Sequence, residues 1–136
     1  MGYIPKAPHC VYAIRCKANG KMYIGVSVSP DKRVDDHLSQ LRRGEKTIKI
    51  PGVIGPSSRE KSNFQKDFDE YGEENFEYYI LEKDVSPDKS RVREMYWILH
   101  YKSSNPDYGY NIYPVVRTNK VVWIEALPPV LGKKNE

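Results

Sequence analysis

The sequence has few cysteines. Only two of its 136 residues are cysteine, Cys10 and Cys16. If both lie on one strand, their Cα atoms are roughly 20 Å apart at ~3.3 Å per residue, which is too far for a disulfide bond. Their spacing is also poor for a zinc site. We therefore expect two reduced cysteines that pack in the fold, in agreement with a cytoplasmic location.

Long apolar segments are absent as well. No run of residues approaches the ~18 that a membrane-spanning helix needs, and residues 1–9 contain no apolar run typical of a signal peptide. Phenylalanine is scarce, with three residues against eleven tyrosines. A tyrosine-rich surface is typical of a wet groove or an interface. We expect one soluble intracellular domain that does not associate with a membrane.

Charge is unevenly distributed along the chain, whose formal net charge is +4. Residues 1–66 hold thirteen Lys and Arg against five Asp and Glu, whereas residues 67–84 hold one Lys against eight acids. A polyanion is the natural partner for such a basic half. Helix-surface charges that only keep the protein soluble explain the pattern equally well.

A β-hairpin is predicted over residues 11–27. Two β-prone runs flank Asn19-Gly20, the strongest signal for a two-residue turn. Side chains alternate along strands, so Tyr12, Tyr23 and Gly25 share one face. A half-buried strand pair with tyrosines at its edge also accounts for that face. The predicted register places Ala18 opposite Lys21 and then pairs Cys16 with Tyr23, Ile14 with Gly25, and Tyr12 with Ser27.

The first helix is predicted from Ser29-Pro30-Asp31, with serine as N-cap and proline at the first helical position. It extends to about Arg43 and ends at Gly44. Arg33 and His37 are four residues apart and therefore share a helix face.

Three further elements follow a predicted loop at residues 45–58, which is rich in Gly, Pro and Ser. A helix is predicted over 59–71, a strand over 75–83, and a helix over 87–102. In the last helix, Glu94 lies in one row with Trp97, Ile98 and Tyr101. A carboxylate there is costly unless it is paired, protonated or bound to a cation. An ion pair with Arg91 or a strand residue is the alternative to a functional role.

The predicted fold is α/β (α+β), with a small three-stranded, mostly antiparallel sheet flanked by helices. The element order is β-β-α-α-β-α-β-β, and the last two strands form a C-terminal β-hairpin extension at residues 115–117 and 121–124. Residues 132–136 are expected to fray. We expect a domain over 1–112 and an extension over 113–136 that is not an independent domain.

Several short motifs occur in an order that resembles the GIY-YIG nuclease superfamily, and most closely its phage homing endonucleases. The match spans roughly residues 10–112, and each motif is weak alone. The motifs are Val11-Tyr12, Tyr23-Ile24-Gly25, Arg33 with His37, Arg93-Glu94 followed by an aromatic residue and Trp97, and Gly109-Tyr110-Asn111.

The resemblance implies a divalent-metal-dependent DNA endonuclease. Glu94 would hold one Mg²⁺ (or Mn²⁺) ion, a hard cation for which one carboxylate can suffice. Tyr12 would act as general base or orient the water, and Arg33 would clamp the phosphate. Tyr23 and His37 would orient phosphate or water, and Asn111 would tie the final loop to the site.

Further implications concern the substrate and the partners. Gly25 would allow DNA or backbone to approach the sheet. The family often has a basic residue or a histidine at the start of the second helix, where Arg59 and Lys61 are the nearest candidates. The first motif also departs from the family pattern, because Cys10-Val11 replaces Gly-Ile. Residues 113–136 are a candidate edge for a homodimer or a larger complex. A non-cleaving DNA-binding or assembly module with the same fold is the alternative function.

Overall fold

The computed structural model describes residues 7–112 and 132–133 of the chain. Short 3₁₀ turns cover Glu73–Asn75 and Pro87–Lys89. The longer elements in chain order are β1 (His9–Cys16), β2 (Met22–Ser27), α1 (Pro30–Arg42), β3 (Thr47–Lys49), β4 (Arg59–Lys61), α2 (Asn63–Tyr71), β5 (Phe76–Val85), α3 (Ser90–Tyr101) and β6 (Gly132–Lys133).

The main sheet is antiparallel, in the order β2-β1-β5-β6. Its three long strands and the three helices confirm the predicted α/β architecture. The two residues of β6 pair with Tyr79 and Ile80, so the predicted fraying of residues 132 and 133 is wrong. The predicted hairpin at 115–117 and 121–124 lies outside the described residues.

Helices cover both faces of the sheet, because alternate residues of β1 point to opposite sides. Val11 and Ala13 pack with Trp97 and Ile98 of α3 on one face. On the other face, Tyr12 and Ile14 belong to a cluster that α1 and α2 complete. The further members of that cluster include Val34, Leu41, Phe64 and Phe68. Cys10 and Cys16 are both free thiols, and Cys16 is buried.

The hairpin register differs from the predicted one by two residues, since Tyr12 pairs with Gly25 and Ile14 with Tyr23. The loop that connects β1 to β2 is longer than a two-residue turn. The Cys16 N–H donates to the Lys21 carbonyl at 2.9 Å, and the Gly20 N–H donates to the Cys16 carbonyl at 2.8 Å. A shift by two residues preserves the alternation of side chains. Tyr12, Tyr23 and Gly25 therefore still share one face, as predicted.

The segment predicted as a loop and a helix start contains a second hairpin. Thr47–Lys49 pairs with Arg59–Lys61, so the predicted helix start at Arg59 is wrong. Helix α2 begins only at Asn63, because the Ser62 hydroxyl accepts a hydrogen bond from the Gln65 N–H at 3.1 Å. Ser29 precedes α1, as predicted, but its side chain makes no capping hydrogen bond. Helix α3 begins at Ser90 and not at residue 87, because Pro87–Lys89 forms a 3₁₀ turn.

Candidate active site

Tyr12 is buried against the strand next to it. Only 1% of its surface is exposed, and its ring lies over the backbone of Gly25. A Cβ atom on Gly25 would be 2.4 Å from the Tyr12 hydroxyl oxygen. The glycine at this position therefore makes room for the Tyr12 side chain. This packing role is additional to the approach of DNA or backbone that the resemblance implies for Gly25.

The Tyr12 hydroxyl meets a histidine that α1 supplies. His37 Nε2 lies 3.0 Å from the Tyr12 hydroxyl oxygen, and Lys46 Nζ lies 2.7 Å from His37 Nδ1. Tyr23 packs edge-on against the His37 ring, with centroids 4.7 Å apart. Burial and the positive charges of Lys46 and Arg33 lower the pKa of His37 to about 3. The imidazole is therefore neutral near pH 7.

Arg33 lies one turn before His37 on α1 and is exposed at the protein surface. Its positive charge acts on both tyrosines and favours the ionised form of the Tyr12 hydroxyl. Burial raises the pKa of Tyr12, and Arg33 partly opposes that increase. Burial raises the pKa of Tyr23 as well, again with Arg33 opposing it. Both phenols are therefore protonated at neutral pH in the free protein.

Glu94 projects from α3 into a cavity of about 390 Å³ at the edge of β2. Tyr23, Lys46, Tyr110 and Asn111 also line this cavity. Burial raises the pKa of Glu94, and the charge of Arg91 partly offsets this effect. Among the described residues no ion pair forms at Glu94. Its charge raises the pKa of both Tyr12 and Tyr23, so the three groups interact electrostatically.

Asn111 fixes residues 109–112 along the edge of β2. Its side-chain amide accepts from the Ile24 N–H at 2.8 Å and donates to the Ile24 carbonyl at 2.8 Å. The Tyr110 N–H adds a bond to the Met22 carbonyl at 2.9 Å. The segment thus supplies β2 with the hydrogen bonds that a further strand would make.

Arg59 and Lys61 lie on β4 and do not line the cavity at Glu94. Arg59 bonds to the Thr47 side chain at 2.8 Å and to the Thr47 carbonyl at 3.0 Å. Lys61 pairs with Asp69 at 2.8 Å. The basic group that does reach His37 is Lys46, which the sequence analysis missed. No spacing rule indicates it, because the turn after α1 sets its position.

The described part of the chain holds no group of three or more His, Cys, Asp or Glu side chains arranged to bind a metal ion. One carboxylate, Glu94, is available at the cavity. None of the helices in that part of the chain has the length and apolar character needed to cross a bilayer.

The arrangement brings Tyr12, Tyr23, Arg33, His37 and Glu94 into one electrostatically coupled group, with Asn111 at its border. A family model described as the GIY-YIG catalytic domain matches residues 8–111. The chain belongs to the GIY-YIG family. It is therefore a nuclease, and GIY-YIG nucleases are generally dependent on a divalent metal ion.

Solved structures agree with this GIY-YIG assignment. A mutant of the catalytic domain of intron endonuclease I-TevI is 28% identical to this chain, with a TM-score of 0.59, and the match covers 77% of this chain and 93% of that domain. A structure of the catalytic domain of homing endonuclease I-TevI is 25% identical, with a TM-score of 0.57 and coverage of 76% and 98%. No curated protein gives a significant match to the sequence.

Proposed function

We propose that this GIY-YIG domain is a divalent-metal-dependent DNA endonuclease that hydrolyses phosphodiester bonds. The observation that carries the proposal is the Glu94 carboxylate, which has no ion pair among the described residues and lines the same cavity as Tyr23. The similar solved domains are catalytic domains of I-TevI, which is described as an intron endonuclease and as a homing endonuclease. The positive charge of residues 1–66 suits a polyanionic substrate.

The donor set at the cavity fits Mg²⁺ or Mn²⁺, one ion per active site. Glu94 is the only carboxylate among the described residues that line it, and Mg²⁺ commonly keeps several waters and takes one or two protein carboxylates. Such an ion also gives the half-buried Glu94 charge a partner. When bound, the cation would neutralise charge on the phosphate and lower the pKa of a bound water.

Arg33 would bind the scissile phosphate. Its guanidinium is at the surface, where DNA can reach it, and yet it acts on the hydroxyls of Tyr12 and Tyr23. A planar fork of donors suits two phosphate oxygens in a way that a lysine ammonium does not reproduce. Arg33 would thus hold the phosphorus centre at a fixed position relative to Tyr12.

Tyr12 would orient the attacking water or accept its proton. A buried phenol stays protonated at neutral pH, because burial raises its pKa, and it therefore cannot accept a proton unless the site favours the phenolate. The positive charge of Arg33 favours the phenolate, and a hydrogen bond donated by His37 to the Tyr12 oxygen would favour it as well. The role therefore depends on keeping both groups in place while substrate is bound.

Tyr23 and Asn111 would complete the site. Tyr23 lines the cavity and contacts the His37 ring edge-on, which holds the imidazole in its orientation. Asn111 would fix the backbone of Ile24, the residue that follows Tyr23. Both would set the position of phosphate or water without transferring a proton.

The hairpin of β3 and β4 would contribute DNA contacts outside the cavity, with Arg59 and Lys61 on its exposed strand. Arg59 uses only some of its five N–H groups on Thr47, so others remain for a phosphate. Lys61 is partly neutralised by Asp69 and would contribute less. Residue Gly25 would serve the site by accommodating Tyr12.

A plasmid nicking assay tests this function. Supercoiled DNA incubated with the protein and Mg²⁺ should become nicked circles, and a chelator should stop the reaction. Glu94→Gln should lower the nicking rate by about 100-fold or more, which is the effect of removing one group that stabilises charge in a transition state. Glu70→Gln, which removes an exposed carboxylate from α2, should cut at the wild-type rate.

The alternative function, a non-cleaving DNA-binding or assembly module, gives a different result. That protein would bind DNA at low salt but leave the plasmid supercoiled with Mg²⁺ or Mn²⁺. We also propose that a double-strand break requires either a dimer of the chain or two successive encounters with the DNA, since one site cuts one strand. In a dimer, the segment 113–136, as an extension of the 1–112 domain, would supply the contact between the two copies. The mass of the protein in solution distinguishes a monomer from a dimer.

A further inference from the structure

We propose that Lys46 is a positioning residue for Tyr12 and acts through the imidazole of His37. The effect that this inference predicts on the nicking rate rests on the proposed nuclease function. The tautomer of His37, on which it depends, is measurable without DNA. The chain of contacts is short, with Lys46 Nζ 2.7 Å from His37 Nδ1 and His37 Nε2 3.0 Å from the Tyr12 hydroxyl oxygen.

The backbone of Lys46 is fixed by the start of α2. Its N–H donates to the Gln65 side-chain oxygen at 3.2 Å. Its carbonyl accepts from the Ser62 N–H at 2.9 Å and from the Ser62 hydroxyl at 2.8 Å. Gln65 is fully buried and also bonds to the Leu41 carbonyl of α1. Lys46 is therefore held at one point between α1 and α2, from which its side chain reaches His37.

The chemistry of an ammonium group decides which ring nitrogen carries the proton. An ammonium has three donors and no acceptor, so Nδ1 of His37 must accept from Lys46. The neutral imidazole then carries its proton on Nε2, and Nε2–H donates to the Tyr12 hydroxyl oxygen. Burial and Arg33 lower the pKa of Lys46 to about 8, so the ammonium form predominates near pH 7.

This tautomer determines how Tyr12 can behave. With Nε2–H as donor, the Tyr12 oxygen receives a hydrogen bond from His37 and lies in the field of the Arg33 charge, and both favour the phenolate. With the opposite tautomer, Nε2 would accept the phenol proton and hold Tyr12 in its neutral form. Lys46 therefore keeps His37 as a donor to Tyr12 and prevents it from competing for the same proton.

Nitrogen-15 NMR of the full chain measures the tautomer directly, because the protonated and unprotonated ring nitrogens of a neutral histidine resonate far apart. The wild-type protein in metal-free buffer at neutral pH should have the His37 proton on Nε2. Lys46→Met keeps the apolar stem of the side chain but removes the donor. In that variant the proton should shift wholly or partly to Nδ1. A wild-type protein with the proton on Nδ1 would overturn the proposal.

Steady-state nicking supplies the second readout. Lys46→Met should lower kcat by about 10- to 100-fold, the range for residues that orient a neighbouring ligand, and should change KM much less. Lys46→Arg, which is also a donor without an acceptor, should restore most of the Nε2–H form and of kcat. Lys49→Met removes the same charge from an exposed site on β3 and should mainly raise KM.

Three outcomes separate the hypotheses. If Lys46→Met keeps the wild-type tautomer and matches Lys49→Met in kcat, Lys46 is only one more positive charge near DNA and the proposal is wrong. If Lys46→Met does not fold, the tautomer of His37 in the wild-type protein and in Lys46→Arg still tests the proposal. If the wild-type protein has the expected tautomer but cuts no DNA, the proposed function fails while the Lys46–His37 contact stands.

Discussion

The ring of Tyr12 occupies the space that a side chain on Gly25 would fill. A Cβ on Gly25 would lie 2.4 Å from the Tyr12 hydroxyl oxygen and 2.5 Å from the ring carbon that carries it. The two residues are directly opposite each other in the β1–β2 pair. The position of the Tyr12 ring therefore requires a residue without a side chain at position 25.

Gly25→Ala should displace Tyr12 and destabilise the protein by roughly 1–3 kcal/mol, the range for overpacking a core. Nicking activity should fall as well, because Tyr12 loses its contact with His37. Denaturant unfolding measures the first effect. In a double-mutant cycle, Gly25→Ala should cost much less in a Tyr12→Ala background. Equal costs in both backgrounds would contradict the contact.

His37 should make the protein sensitive to acid. Burial, Lys46 and Arg33 lower its pKa from 6.5 to about 3, so the unfolded chain binds more protons than the folded one between these values. Stability is then lost as the pH falls below 6.5. From pH 7 to pH 5 this group should remove roughly 2 kcal/mol from the free energy of unfolding. Urea unfolding at both pH values should show a smaller loss in His37→Gln, and an identical loss would refute the buried neutral imidazole.

Arg33→Lys keeps the charge but removes the planar fork of donors. If Arg33 clamps the phosphate, this change should lower kcat/KM for plasmid nicking by roughly 10- to 100-fold, since misplacing the reacting group by about 1 Å has effects of that size. Lys32→Ala is the matched control, because Lys32 is the exposed neighbour on the same helix. If Arg33→Lys cuts like the wild type, Arg33 contributes only charge.

Arg59 should contact one DNA phosphate. Arg59→Ala should reduce the slope of log binding constant against log salt concentration by about 0.9, the value for one phosphate contact on duplex DNA. Lys61→Ala should change the slope less, since Asp69 already neutralises Lys61 at 2.8 Å. Fluorescence anisotropy with Glu94→Gln protein, over a range of salt concentrations, provides both slopes. An unchanged slope for Arg59→Ala would exclude the contact.

The sequence was sufficient to predict the shared face of Tyr12, Tyr23 and Gly25, although the predicted register was wrong. Alternation along a strand has a period of two, so an error of two residues leaves every side chain on its predicted face. The prediction of a two-residue turn is wrong, because Gly20 adopts a positive φ of 78° within a longer loop and Asn19 does not. Local turn chemistry thus identified a hairpin but not its length.

The pairing of Thr47 with Lys61 and the position of Lys46 could not be predicted in the same way. Strands β3 and β4 have three residues each, too few for a periodic pattern, and Arg59–Lys61 is entirely charged. Their pairing depends on contacts distant in sequence, such as the bond from the Ser62 hydroxyl to the Lys46 carbonyl. The contact between Lys46 and His37 follows from that tertiary arrangement.

The central claim is that Glu94 holds a divalent cation beside Tyr12 and Arg33. Diffraction from crystals soaked with Mn²⁺, recorded where manganese scatters anomalously, tests it most directly. We expect one anomalous peak per chain, about 2.0–2.3 Å from a Glu94 carboxylate oxygen, and none in Glu94→Gln crystals soaked in the same way. A peak elsewhere on the domain, or a Glu94 carboxylate without a peak at saturating Mn²⁺, would contradict the account.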